Sequence, residues 1–421
     1  MLLLLSLAAH AEGTCLTPQV LDALAGRAPA PHPYALQAPA GIGERPPLGP
    51  PGGRQIYGTP YDNHLETAHF TINWWTEGVT REQAESAGAA LETAWASFEA
   101  EGWTPPVSSD RYYLWVLLDP GLGGTTGYTS EYFTDDYPDG YPIIWLNPDW
   151  AGTPEFWASL AAHELMHAFQ YAVRDYDGAG EVETWYWEAS ATWASELADP
   201  EVDGHQYTSD WYATTADRGY SSTENSRQYG LFVLNAWLDR EGFGPATMRD
   251  VWALSSQRAG EPWDEILAES TGVSAGELWA RFAGAYANGG LEESALYTAY
   301  PSQGVLSDGV GGTLPYLGSH AWTAQQGGLY RVEGEALLAT GGTLGEAVEV
   351  QAGDTVAVVG ISESDAPYRL LLDLQGDSGE PSGDGGEGTP PVEEPVACGC
   401  ASSPAGVGLL LPLLMLLRRR R

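Results

Sequence analysis

The segment from Ala161 to Tyr171 (AAHELMHAFQY) constrains the fold more than any other part of the chain. His163 and His167 stand four residues apart, so on a helix both imidazoles project from one face, about one turn apart. Apolar residues fill most of the remaining positions and much of the stretch before them, which predicts a helix over about residues 154–174. The chain must therefore fold around a helix that carries two imidazoles side by side.

The residue after the first of these histidines adds a further chemical group to the helix. Two neutral imidazoles at this separation can bind one zinc ion, and Glu164 can reach the water that the ion activates. We expect Glu164 to accept the proton of that water as a general base while the water attacks a carbonyl carbon. The three cysteines, Cys15, Cys398 and Cys400, lie near the two ends of the chain. We therefore expect no thiolate ligand in the folded region, and a metal held by His and carboxylate.

Glu188 is the candidate for a third ligand. It lies in the segment WYWEASATW from Trp185 to Trp193, which is predicted to be helical over about residues 184–197. The neighbouring aromatic residues would surround the carboxylate with a medium of low dielectric constant, where it needs a partner such as a zinc ion. Together the two segments resemble the gluzincin clan, in which a helix downstream of H-E-x-x-H contributes a Glu ligand. More closely, they resemble a family of sequences regarded as secreted metallopeptidases of myxobacteria and other bacteria, over about residues 57–287.

The resemblance implies a zinc ion held by His163, His167 and Glu188, with one coordination position left open. Several gluzincins also use a tyrosine to stabilise the oxyanion of the transition state. Tyr229, at the start of another predicted helix, resembles that tyrosine, although a core or capping role suits it equally well. His205 remains an alternative to Glu188 as the third ligand.

Two features depart from related zinc peptidases. Metzincins place Gly and His three and six residues after the second motif histidine, where this chain has Gln170 and Val173. Some gluzincins place an Asp four residues after the third ligand, where it orients a zinc-bound histidine; this chain has Thr192 there. Glu196 and Asp175 are the candidates to take over that orienting role.

The order of the predicted elements indicates an α+β fold. We expect a zincin-like mixed sheet with the active-site helix, then a mostly α subdomain, then a small C-terminal β-sandwich-like domain. The predicted strands cover residues 69–75, 111–119, 141–146, 328–332, 355–359 and 368–372, and the predicted helices cover residues 80–103, 154–174, 184–197, 228–241, 247–256, 263–270 and 275–287. The strand at residues 141–146 is expected at the substrate-binding edge of the sheet. Thr80 and Gln83 have the spacing of a capping box.

These elements and the two ends suggest seven segments. The folded part comprises a catalytic domain at residues 56–200, a helical subdomain at residues 201–300 that completes the active-site cleft, and the β domain at residues 301–375. Residues 1–11 fit a signal peptide, residues 12–55 a propeptide-like or extended arm, and residues 376–397 a flexible linker. Residues 398–421 resemble the MYXO-CTERM sorting tail of myxobacterial surface proteins, which implies processing near its cysteines and retention at the cell surface. An ordinary tail anchor would also place the protein in the envelope.

The charge of the chain limits its partners. With 57 acidic and 18 basic residues the formal net charge is −39, which repels phosphate backbones and anionic lipid surfaces. We therefore expect a protein or peptide substrate and no nucleic acid. The acidity fits solubility outside the cell, or attraction of Ca²⁺ or basic substrates. Asp135, Asp136 and Asp139 offer carboxylates for calcium, although such a cluster also suits a turn.

The expected function is that of a secreted, surface-anchored zinc endopeptidase, with the β domain as spacer or docking module. One alternative is a non-catalytic adhesin or binding protein that keeps zinc for structure, which would have no need of Glu164. Another is a zinc hydrolase that acts on a different bond, for example in cell-wall peptide.

Overall fold

The computed structural model describes residue 15 and residues 61–107, 109, 113–131, 141–174, 181–198, 208–244, 246–258, 260–291, 295–341 and 343–373. The predicted signal peptide, linker and sorting tail lie outside these residues, as does the N-terminal arm apart from Cys15. Helices and mixed sheets together make up the described chain, which confirms the predicted α+β class. Among the described helices, none has both the length and the apolar composition needed to cross a membrane.

The first sheet contains five strands in the order β1-β2-β3-β5-β4. Its strands are β1 (Asn63–Glu66), β2 (Phe70–Trp74), β3 (Leu114–Leu118), β4 (Gly127–Glu131) and β5 (Pro142–Leu146). The pairs β2–β3 and β3–β5 are parallel, whereas β1–β2 and β4–β5 are antiparallel. The prediction that residues 141–146 form an edge strand was wrong, because β4 pairs outside β5. The short, partly polar GYTSE segment of β4 gave no strand signal in the sequence.

Both faces of this sheet are covered, which explains the uninterrupted apolar run of β3. Leu114, Val116 and Leu118 belong to the main hydrophobic core, whereas Trp115 and Leu117 belong to a smaller cluster on the other face. A strand buried on both faces shows no alternation of polar and apolar residues.

Helix α1 (Arg81–Ala100) packs against the sheet and against the helix that carries His163 and His167. Its start follows the predicted capping box: Gln83 N donates to Thr80 Oγ1 at 3.2 Å, and Thr80 N donates to Gln83 Oε1 at 2.8 Å. These bonds satisfy amide groups that have no partner within the helix.

Helices α2 (Pro154–Tyr171) and α3 (Glu181–Ala198) contain the two predicted site segments. The remaining helices are α4 (Ser209–Ala213), α5 (Arg227–Gly230), α6 (Phe232–Leu238), α7 (Ala246–Ser255), α8 (Trp263–Thr271) and α9 (Ala275–Ala287). The single helix predicted over residues 228–241 is instead α5 and α6, followed by a π-helical turn at Asp239–Phe243. Leu231, with ψ near 0°, separates α5 from α6.

The C-terminal strands form two sheets that share one hydrophobic core. They are β6 (Ser302–Leu306), β7 (Gly311–Leu314), β8 (Ser319–Ala324), β9 (Gly328–Gly334), β10 (Ala336–Thr340), β11 (Thr343–Gly345), β12 (Ala347–Val350), β13 (Thr355–Gly360) and β14 (Ala366–Asp373). The orders are β11-β10-β13-β8-β6 and β12-β9-β14-β7. Helix α9 lies against the first of these sheets so closely that a Cβ atom on Gly284 would stand 2.8 Å from Ala339 Cβ.

Candidate metal centre

Helix α2 presents both motif histidines to the interior of the protein. His167 is fully buried and His163 is 8% exposed. Their Nε2 atoms lie 3.2 Å apart, as the spacing of four residues in one helix allows. Neighbouring residues of α2 are buried on nearly every side, so the helix places these polar rings in an apolar core.

Helix α3 runs antiparallel to α2 and brings Glu188 to the two imidazoles. Glu188 Oε2 lies 3.1 Å from His163 Nε2 and 3.6 Å from His167 Nε2. The carboxylate is fully buried, and neither of its oxygens has a hydrogen-bond partner with acceptable geometry among the described residues. The short contacts to the imidazoles are therefore close approaches of three electron-pair donors. Such a cluster is costly to bury unless a cation or proton compensates it.

The separations of these three donor atoms fit one metal ion. Zinc binds imidazole nitrogen at about 2.0–2.1 Å with tetrahedral geometry, which places two such ligand atoms about 3.3–3.4 Å apart. The distances among His163 Nε2, His167 Nε2 and Glu188 Oε2 are 3.2, 3.1 and 3.6 Å. The predicted triad is thus brought together in a form that can hold a metal ion.

Cys15 completes the group, contrary to the prediction that no thiolate takes part. Its side chain is buried, and Cys15 Sγ lies 3.7 Å from His167 Nε2. The four donor atoms of Cys15, His163, His167 and Glu188 all lie within 4.8 Å of one another. The prediction failed because it assumed that the N-terminal arm stays outside the folded unit.

The outer nitrogen of each imidazole has its own partner. His167 Nδ1 lies 2.7 Å from Gln170 Oε1, and Gln170 Nε2 donates to Trp187 O at 3.1 Å and to Ser190 Oγ at 2.9 Å. Because the amide nitrogen is the donor in both bonds, the amide oxygen must accept, and His167 Nδ1 carries the proton. The lone pair of His167 Nε2 is then directed at the metal group.

His163 Nδ1 lies 3.3 Å from Thr192 Oγ1. Glu196 or Asp175 had been predicted to orient an imidazole, but Gln170 and Thr192 make these contacts instead. Asp175 lies outside the described residues. Gln170 was missed although it stands three residues after His167 on the same helix. That spacing is the signal that could have identified it.

Glu164, the residue after His163, lies close enough to His163, His167 and Glu188 for their charges to affect its pKa. It is fully buried; Thr129 Oγ1 lies 3.0 Å from its Oε2 and 2.7 Å from its backbone oxygen, while Oε1 has no hydrogen-bond partner among the described residues. Strand β4 approaches so closely that a Cβ atom on Gly127 would lie 3.0 Å from Oε1. Burial raises the pKa of Glu164, against the opposing effect of His163 and His167. A carboxylate in this state can accept a proton readily.

His167 and Glu188 compensate each other's charge. Burial alone would lower the pKa of His167, but the adjacent Glu188 outweighs it and the pKa is raised. Burial alone would raise the pKa of Glu188, but His167 and His163 outweigh it and the pKa is lowered. Each group therefore stabilises the charged form of the other, and a bound cation can take over the role of the proton.

Tyr229 also lies at the site, as predicted. Its hydroxyl donates a hydrogen bond of 2.9 Å to the backbone oxygen of Cys15, and its ring centroid lies 6.0 Å from that of His163. Burial, and after it the charge of Glu188, raises the pKa of Tyr229 well above its usual value. The hydroxyl therefore stays protonated and serves as a donor.

The residues on either side of Tyr229 fix its position. Helix α5 starts after Asn225 and Ser226, which both adopt positive φ. Arg227 is buried, donates to Thr215 O at 2.7 Å and lies over the ring of Tyr212. A Cβ atom on the next glycine, Gly230, would collide with the backbone nitrogen of Tyr212.

A pocket opens on one side of the group. His163, Cys15 and Tyr229 form part of its wall, and the other lining residues are Thr126, Phe156, Ser159, Leu160, Thr192, Ser195, Thr208 and Trp211. The predicted alternative ligand His205 and the candidate calcium cluster Asp135, Asp136 and Asp139 lie outside the described residues.

A family model matches part of the chain. Residues 104–282 match the model of a family described as a family of unknown function (DUF6055), a stretch that contains α2, α3, α5 and strands β3 to β5. No curated protein shows significant similarity to the chain. The matched stretch includes the positions of His163, Glu164, His167, Glu188 and Tyr229.

Proposed function

We propose that this chain is a zinc metallopeptidase that hydrolyses peptide bonds in extracellular proteins or peptides. The observation that carries the proposal is the Glu164 carboxylate, which is fully buried and close enough to His163, His167 and Glu188 for their charges to affect its pKa. A site that holds a metal only for structure needs no such base.

His163, His167 and Glu188 would hold the ion. A bound zinc ion supplies Lewis acidity, which lowers the pKa of water and polarises a carbonyl. Glu164 accepts the proton of the attacking water and returns it to the leaving amine. The Tyr229 hydroxyl, which donates to a peptide carbonyl at 2.9 Å in this structure, donates to the developing oxyanion.

The two ends of the sequence support an extracellular location. The signal-like residues 1–11 and the sorting-tail-like residues 398–421 suit a protein that is exported and retained at the cell envelope. A net charge of −39 suits a protein or peptide substrate better than a nucleic acid.

The test compares Glu164→Gln with Glu92→Gln, which removes one carboxylate far from the metal group in sequence. Each is made in the wild-type chain and in Cys15→Ala, and each protein is loaded with zinc. We expect Glu164→Gln to keep its zinc but cleave casein or a peptide mixture at least about 10²-fold more slowly, because the general base is lost. Glu92→Gln should cleave normally. Unchanged cleavage by zinc-loaded Glu164→Gln would exclude the mechanism.

A second candidate is a zinc-containing adhesin or binding protein without catalysis. Cys15 favours it, because structural zinc sites are closed by four protein ligands whereas catalytic sites keep one position open. Absence of cleavage in both the wild-type and the Cys15→Ala chains, with zinc retained, would favour this candidate.

A further inference from the structure

Cys15 is the one residue described within the first 60 positions, and it makes three distinct contacts at the metal group. Its thiol lies 3.7 Å from His167 Nε2, its backbone oxygen accepts the Tyr229 hydroxyl, and its backbone forms a parallel bridge with Gly127 of β4. Gly127 begins the edge strand that runs past Glu164. The thiol, the carbonyl oxygen and the bridging backbone of Cys15 thus each have a contact at the metal group.

The distance from the Cys15 thiol to His167 fits ligation of one metal ion by both residues. With Zn–S of about 2.3 Å and Zn–N of about 2.0–2.1 Å, tetrahedral geometry places sulfur and nitrogen about 3.6 Å apart. The observed separation from Cys15 Sγ to His167 Nε2 is 3.7 Å. The buried Glu188 carboxylate, without a hydrogen-bond partner among the described residues, independently indicates that a cation belongs at this point.

The backbone contacts of Cys15 are those that a bound peptide would make. A substrate carbonyl next to Tyr229 and a backbone pairing with the outer edge of β4, the last strand of its sheet, are the interactions that position an extended chain. Cys15 therefore occupies the position of a substrate as well as a ligand position.

We infer that Cys15 is an inhibitory ligand that keeps the site latent until the N-terminal segment is removed or its thiol is displaced. The inference rests on the proposed function. The thiolate would take the coordination position that hydrolysis requires, while the Cys15 carbonyl takes the hydroxyl of Tyr229. Cleavage of the chain between residues 15 and 61 would untether the inhibitory residue, and competition by a substrate at higher concentration would then displace it.

Ligation is tested first, without reference to activity. In a full-length parent carrying Cys398→Ser and Cys400→Ser, Cys15 is the remaining thiol. The cobalt-substituted parent should show a near-ultraviolet thiolate-to-cobalt charge-transfer band, which disappears in Cys15→Ala while bound cobalt stays near one ion per chain. In the zinc form, alkylation of Cys15 should be slow and should accelerate on chelation. A parent without the band would overturn the inference, and so would loss of the metal from Cys15→Ala, which indicates a permanent structural ligand.

Latency is tested second, on the same two proteins loaded with zinc. If the thiol-released state makes up less than about a tenth of the molecules, Cys15→Ala should cleave peptides more than about tenfold faster than the parent. A charge-transfer band with no cleavage in either protein means that ligation stands and the proposed peptidase fails. No band and equal cleavage in both means that the peptidase stands and the latent state fails.

Discussion

The pair His69–Glu92 and the pair His167–Glu188 bring the same chemical groups together in different surroundings. In the first, His69 Nδ1 lies 2.7 Å from Glu92 Oε2, while His69 N and Thr67 Oγ1 donate to Glu92 Oε1. His69 and Glu92 are 35% and 26% exposed in their side chains. In the second pair both side chains are fully buried, and the carboxylate oxygens have no hydrogen-bond partner among the described residues.

The difference separates a structural ion pair from a candidate metal site. Glu92 receives hydrogen bonds that replace those it would make with water, so its charge needs no further compensation. Glu188 receives none with acceptable geometry from the described residues, and its Oε2 lies 3.1 Å from His163 Nε2 and 3.6 Å from His167 Nε2. Three donors converging in a core are stable only if a cation lies between them or a proton is shared. We therefore expect metal binding to depend on Glu188 but not on Glu92, although each is a Glu beside a His.

The largest expected effect is a difference in zinc affinity between Glu188→Gln and Glu92→Gln. Both changes keep the size of the side chain and remove one charge. We expect Glu188→Gln to bind zinc more than about 10²-fold more weakly, beyond the 10–100-fold typical of a residue that only orients a ligand. Glu92→Gln should keep the wild-type affinity, as measured by competition with a chromogenic chelator.

Thermal unfolding provides the control for this comparison. Chelation should lower the melting temperature of wild type and of Glu92→Gln, because the folded state loses its bound ion. It should leave Glu188→Gln unchanged, and that variant without metal should be no less stable than metal-free wild type, since it lacks a buried charge. Equal zinc affinity in all three proteins would show that Glu188 is not a ligand.

A smaller effect is expected from the residues that hold the imidazoles. Gln170→Ala removes the acceptor 2.7 Å from His167 Nδ1, and we expect zinc to bind about 10–100-fold more weakly. Thr192→Val removes the longer contact of 3.3 Å to His163 Nδ1 and should weaken binding by less than about tenfold. A larger loss in Thr192→Val than in Gln170→Ala would reverse the assigned importance of the two contacts.

Sequence reasoning located the residues whose relation is local. His163, Glu164 and His167 follow from spacing within one helix, and the aromatic surroundings of Glu188 indicated its burial. Cys15 could not be found in this way, because 152 positions separate it from His167 and no periodic pattern connects them. Counting cysteines instead excluded it.

Strand β4 was missed for a related reason. Its segment GYTSE lacks the apolar alternation of a strand because part of it serves the site. Gly127 leaves room for Glu164, and Thr129 Oγ1 contacts the Glu164 carboxylate. The sheet order places this strand at the edge, where residues 141–146 had been predicted. In β4, the residues that break the local pattern are residues that contact Glu164 of the candidate site.

The smallest expected effect concerns the pH dependence of the His69–Glu92 pair. Burial alone would raise the pKa of Glu92, but hydrogen bonds from Thr67 and His69 outweigh it and the pKa is lowered. A carboxyl whose pKa is lower in the folded state stabilises that state above its unfolded pKa, and this contribution disappears as pH falls through the folded pKa.

Glu92→Gln should therefore reduce the free energy of unfolding at pH 7 by about 0.5–1 kcal/mol, a modest amount because both side chains are partly exposed. The difference from wild type should shrink as the pH falls below about 4.3, the usual pKa of a Glu carboxyl in an unfolded chain. Urea unfolding of both proteins with the metal removed, from pH 7 to pH 3.5, measures this difference free of the metal group. A difference that grows as the pH falls below about 4.3 would mean that Glu92 is stabilised in its protonated form, and the contrast between the hydrogen-bonded Glu92 and Glu188, which lacks a hydrogen-bond partner among the described residues, would no longer hold.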